Sequence, residues 1–91
     1  MPHTPKVETT EYAAMLRRMV RAYGRRLADA DPTDLAAAIQ LQDELSNAIG
    51  QAVAAMRDTH GYSWADVAAE LGVTRQAAFQ RYGRYCTQGV A

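Results

Sequence analysis

GYSWADVAAELGVTRQAAFQRYGR, residues 61–84 of a 91-residue chain, is the stretch from which the fold is read. Ser63 is a favourable N-cap, and Asp66 stands three positions later, where a carboxylate reaches back to the cap amide, so a helix should begin at Trp64. Trp64, Val67, Ala68 and Leu71 recur at three- and four-residue spacing and form its inner face. Gly72 then supplies a left-handed conformation that other residues adopt only at a cost, Val73 turns inward, and Thr74 caps a second helix beginning RQAAFQRY. The charges divide at the same glycine. Before it the stretch carries only Asp66 and Glu70; after it, only Arg75, Arg81 and Arg84.

The flanking sequence is helical too. In TEYAAMLRRMVRAYGRRLADA, residues 10–30, the apolar positions Tyr12, Leu16, Met19, Val20, Tyr23 and Leu27 form one stripe, with arginines opposite. Asp31 then reads as an N-cap, with Pro32 at the first helical position and Asp34 placed to reach back. The second helix runs from Pro32 to about residue 59, with Leu35, Ala38, Ile39, Leu45, Ile49, Ala52, Val53 and Met56 to one side. At ~1.5 Å per residue it is a rod of roughly 40 Å, weakened in its middle by Gly50 and stopped at Gly61. The fold class is therefore all-α: two long N-terminal helices followed by a tight helix pair at about residues 62–83. Residues 1–9, MPHTPKVET, hold two prolines and almost nothing apolar, and read as a flexible arm before a single domain over 10–91.

Composition bounds what such a domain can be. A chain of 91 residues buries only about 60–65% of its unfolded surface, so self-association would add needed stability. Ten basic residues balance ten acidic ones, but the neutrality is a cancellation of blocks. Residues 12–28 carry five arginines and no acid, residues 29–72 carry eight acids against Arg57, and residues 73–91 carry three arginines and no acid. A ligand responds to local potential within a Debye length of ~8–10 Å, so the blocks matter more than the total. Cys86 is alone and cannot form an internal disulfide, and no apolar run approaches ~20 residues, so a cytoplasmic protein without a membrane span is expected. Cys86, His3 and His60 share no nucleophile–base or metal-ligand pattern, and no glycine-rich loop follows a strand, so neither an enzyme nor a metal or cofactor site is expected.

The pattern W-x-x-V-A-x-x-L-G-V-T-R-Q-A, from Trp64 to Ala77, resembles the helix-turn-helix family of DNA-binding proteins, and within it the tight form of sigma-factor region 4 and small actinobacterial transcriptional regulators. The resemblance covers residues 62–82, about a quarter of the chain. It implies that Ala68 is the small residue where the helices touch, Gly72 the turn glycine, Val73 the apolar plug and Thr74 the cap. Ala78 and Arg81 stand where that family usually has larger apolar residues. On a helical wheel Ala78, Phe79, Tyr82 and Tyr85 can form the core face instead, leaving Gln76, Ala77, Gln80 and Arg84 outward.

In the docking mode implied by the resemblance, the second helix enters the major groove of double-stranded DNA, where a carboxylate would be repelled; from Val73 onward there is none. Glutamine can bond adenine through two edge atoms, arginine can fork onto guanine, and alanine can touch a thymine methyl. Arg75, Gln76, Ala77 and Gln80 are accordingly the candidate base contacts. Ser63, Thr74, Arg81 and Arg84 are the candidate phosphate contacts, through hydroxyls, guanidinium groups and helix N-terminal amides. The expectation is a sequence-specific transcriptional regulator. A module that binds a sigma factor, a polymerase subunit or a toxin through the same fold is the alternative.

One short recognition helix reads only a few base pairs, which points to a homodimer with two copies about 34 Å apart. Tyr12, Leu16, Met19 and Leu45 are candidate interface residues that can equally lie inside the monomer. The face made by Arg17, Arg18, Arg21 and Arg25 can bind DNA backbone, an acidic protein partner, or the acidic second helix across a dimer, with the last slightly preferred.

Overall fold

A computed structural model of the chain describes residues 6–86, and every regular element among them is helical. The first helix, α1, runs from Lys6 to Ala28. It starts four residues before the expected position, because nothing between Pro5 and Thr10 opposes a helix and Glu8 in the first turn complements its positive end. Residues 6–9 thus belong to the helix rather than to an arm; residues 1–5 lie outside the described part. At the other end Asp29 and Ala30 donate to the carbonyls of Arg26 and Leu27 at 3.1 Å each, so the chain tightens into a turn before the expected end at residue 30.

A 3₁₀ turn, Pro32–Asp34, leads into α2, Leu35–Asp58. Proline sits at the start as expected, but the Asp31 side chain makes no capping bond. The Asp34 amide goes instead to the Asp31 backbone carbonyl at 2.9 Å, the i→i+3 bond of a 3₁₀ turn, which leaves the side chain nothing to cap. Helix α2 then passes uninterrupted through Gly50 and ends in a turn where Tyr62 donates to the Met56 carbonyl at 3.0 Å and Gly61 takes a φ of 76°. Two short helices follow, α3 (Trp64–Leu71) and α4 (Arg75–Tyr82), and then a 3₁₀ turn, Gly83–Tyr85.

The chain divides into two compact units, residues 1–39 and 40–91, of which residues 1–5 and 87–91 lie outside the described part. The reason is where burial occurs. No described residue of the first unit is buried, whereas the second holds a cluster of Val53, Trp64, Val67, Ala68, Ala78, Tyr82 and Cys86. Ala54, Val73, Phe79 and Tyr85 pack against that cluster. Burying a side chain of valine size or larger contributes roughly 1.5–3 kcal/mol, so this small core carries most of the stability of residues 40–86.

Gly50 has a specific use in this unit. The Tyr85 ring lies so close to it that a β-carbon there would overlap the ring, and the Tyr85 hydroxyl donates to Asn47 Oδ1 at 2.7 Å. The glycine that weakens a helix in isolation is thus the notch that seats the C-terminal turn on α2.

Candidate nucleic-acid interface

Helices α3 and α4 are eight residues each, too short to persist alone, and are held by their ends and by one buried face. Ser63 Oγ accepts from the Asp66 amide at 3.0 Å while Asp66 Oδ2 accepts from the Ser63 amide at 2.9 Å, which completes the capping box. The bond from the Ser63 amide first, and hydrogen bonding from the Ser63 hydroxyl second, hold the Asp66 carboxyl below its ordinary pKa. Gly72 closes α3 at φ 71°, ψ 30°, in the left-handed region. Two residues on, Thr74 Oγ1 accepts from the Ala77 amide at 3.1 Å and starts α4.

The buried face of the pair is built around Trp64 and Ala78, which are 4% and 1% exposed. Ala78 leaves room for Phe79 to meet the Trp64 ring edge-on, with centroids 5.5 Å apart and planes at 88°. Val67, Ala68 and Tyr82 are buried beside them and Val73 is half-buried. Leu71 is the exception. Expected on the inner face, it is 39% exposed, because it is the last residue of α3 and lies one turn beyond the cluster that covers Val67 and Ala68.

With Ala78 and Tyr82 turned inward, Arg75, Gln76, Gln80 and Arg81 of α4 are exposed and Ala77 is half-buried. Three of the four candidate base contacts are thus exposed, and the fourth is partly so. Ser63 and Thr74 are exposed as well, although each hydroxyl already accepts a capping bond and that of Ser63 also serves the Asp66 carboxylate. Arg84 lies past the end of α4 in the 3₁₀ turn; its guanidinium sits 4.9 Å from the Tyr85 ring centre and donates to the Tyr85 hydroxyl at 3.0 Å. It is therefore tied to the turn that seats on α2.

A residue outside the sequence-derived set joins this surface. Arg57, in the last turn of α2, lays its guanidinium 4.8 Å over the centre of the Trp64 ring and donates from Nη1 to the Tyr62 carbonyl at 3.1 Å. It lines a cleft of about 490 Å³ with Ser63, Trp64, Ala65, Arg75, Gln76 and Phe79. The signal in the sequence was its isolation, since Arg57 is the lone base within the acidic block 29–72.

Comparison of the chain with protein-family models, with curated proteins and with solved structures finds no match. Among the described residues, no helix is long and apolar enough to cross a membrane, and no group of three or more His, Cys, Asp or Glu side chains is placed to hold a metal ion.

Proposed function

We propose that this chain is a sequence-specific double-stranded DNA-binding protein, a homodimeric transcriptional regulator acting in the cytoplasm, that lays the 75–82 helix in the major groove. The observation that carries this reading is the outward face of α4. Arg75, Gln76, Gln80 and Arg81 stand exposed on a helix whose other side is fixed by Ala78 and Tyr82, with no carboxylate from Val73 to Cys86. A rigid, basic, amide-bearing helix face is what direct readout needs: glutamine and arginine to reach base edges, and positive charge to displace counterions from phosphates.

The dimer is supported by apolar surface left open. Leu41, Leu45, Ile49, Ala52 and Met56 follow one another at three- and four-residue steps along α2, all exposed, while Gly50 and Val53 of the same helix are buried. The four candidate interface residues are exposed too, with Tyr12 at 62% and Leu45 at 61%. Monomers seldom leave a contiguous apolar patch beyond a few hundred Å², and a second copy is the occupant that a two-site DNA reader requires. Selection of bound fragments from random duplexes, with affinity followed from low to moderate salt, tests the function. Recovery of a palindromic preference and an affinity falling by orders of magnitude with salt are expected. Salt-insensitive capture of a protein partner, with no duplex bound, would point to the interaction module instead. Sedimentation at micromolar concentration should give a dimer that the substitution Leu45→Glu dissociates.

A further inference from the structure

The cleft between the end of α2 and the starts of α3 and α4 shares Arg75 and Gln76 with the outward face of α4 and adds chemistry which that face lacks. Its lining includes the first two residues of both short helices, Trp64 and Ala65 of α3 and Arg75 and Gln76 of α4. The two caps satisfy the third amide of each helix, those of Asp66 and Ala77. The amides of the first two positions have no partner that a helix can supply, and they carry the positive end of the helix dipole. Two such ends open on one cleft.

Two side chains add donors that lack acceptors. Trp64 is 4% exposed, lines the cleft, and has no hydrogen-bond partner for Nε1. Arg57 uses Nη1 on the Tyr62 carbonyl but leaves Nε without a partner. A buried donor without an acceptor is unfavourable, and here both belong to one stacked pair in one cleft wall. Arg57 and Arg75 supply charge. Among the described residues no carboxylate lines the cleft, and Asp66, beside Ala65 in sequence, accepts from the Ser63 amide at 2.9 Å. Donors in excess, two guanidinium groups and two helix starts describe a receptor for a tetrahedral oxyanion.

We propose that this cleft binds a phosphoryl group, gripped by Arg57 and by Arg75, which thereby serves as a phosphate contact rather than a base contact, and facing the first turns of α3 and α4. On a duplex the group is a backbone phosphate beside the groove that α4 enters. That placement rests on the proposed function, whereas the preference for a phosphoryl group does not. Arg57 would then anchor the domain from outside the helix pair, independently of sequence.

Trp64 is the single tryptophan, so its fluorescence reports on the cleft directly. The unaltered chain, Arg57→Gln and Arg57→Lys are titrated with inorganic phosphate and with a duplex of scrambled sequence, at several salt concentrations each held constant through a titration, with circular dichroism confirming the fold of each. Both probes should change Trp64 emission in the unaltered chain. Arg57→Gln should abolish the response to phosphate, weaken duplex binding by about tenfold and lower the salt slope by about one, with Arg57→Lys recovering part of each. A phosphate response without duplex binding would uphold the cleft and sink the DNA reading. Duplex binding with an unchanged salt slope in Arg57→Gln would overturn the cleft and spare the DNA reading. No emission change with either probe in the unaltered chain also overturns it, and does so even if both variants fail to fold.

Discussion

Helix α1 and the α3–α4 pair are opposites in how they are held. The pair consists of two eight-residue helices, each with a side-chain cap, joined by a left-handed glycine and closed on a buried face. Helix α1 is 23 residues long, regular throughout, and leaves Tyr12, Met15, Leu16, Met19 and Val20 exposed. Short helices cannot persist on propensity, so every end and contact must be specified inside the chain. A long helix with a continuous apolar stripe persists more easily but leaves its stripe to be covered. The contrast teaches that the chain's specific interactions are concentrated in the C-terminal pair while its bulk apolar surface is left uncovered.

That contrast is easiest to break at Trp64. Trp64→Ala removes the ring that Phe79 meets edge-on and Arg57 stacks upon, and should cost about 3–5 kcal/mol in urea unfolding, a large share of what so small a core supplies. Leu16→Ala in α1, measured at concentrations low enough to keep the chain monomeric, should change stability by less than about 0.5 kcal/mol, since that residue is already 44% exposed. Equal losses from the two substitutions would erase the distinction.

Gly50→Ala sharpens it. Alanine at mid-helix would ordinarily stabilise by up to ~1 kcal/mol, but its β-carbon overlaps the Tyr85 ring, and displacing that ring also gives up the bond to Asn47. A net loss of about 1–2 kcal/mol in thermal or urea unfolding is expected. In a Tyr85→Ala background the same substitution should become neutral or stabilising. A penalty that survives there would mean that the notch has another purpose.

The ends of the short helices are where sequence was most legible. Ser63 with Asp66, Gly72 and Thr74 act within four residues of themselves, and each does what its neighbours in sequence suggest. The all-helical class follows from periodicity for the same reason. What was hidden acts over distance. Tyr85 finds Asn47 across 38 positions, and Arg57 finds Trp64 only because the turn at Gly61 folds the end of α2 back beside α3. The exposure of Leu71 was hidden too, since a heptad position says which side a residue faces but not whether anything lies there. Asp31 misleads differently: its sequence context is that of a cap, and the 3₁₀ turn takes the backbone carbonyl instead.

The smallest effect concerns pH. Because bonds to Ser63 lower the Asp66 pKa in the folded chain, its contribution is fully present above the ordinary carboxylate value near 4 and is lost as pH falls through the lowered one. Asp66→Asn should therefore be less stable than the unaltered chain at pH 7, with the gap in melting temperature narrowing below about pH 4. A gap independent of pH would mean that the capping box acts through shape rather than charge.

Recognition by α4 is tested most directly by binding Gln76→Ala, Gln80→Ala and Arg81→Ala to a selected duplex and to its scrambled counterpart at two salt concentrations, with folding checked alongside. Base readout by the glutamines predicts a loss of about 1–3 kcal/mol on the selected site alone and little change in salt slope. Phosphate anchoring by Arg81 predicts equal weakening on both duplexes and a slope lower by about one. If folded Gln76→Ala and Gln80→Ala keep full discrimination between the two duplexes, the outward face of α4 does not read DNA.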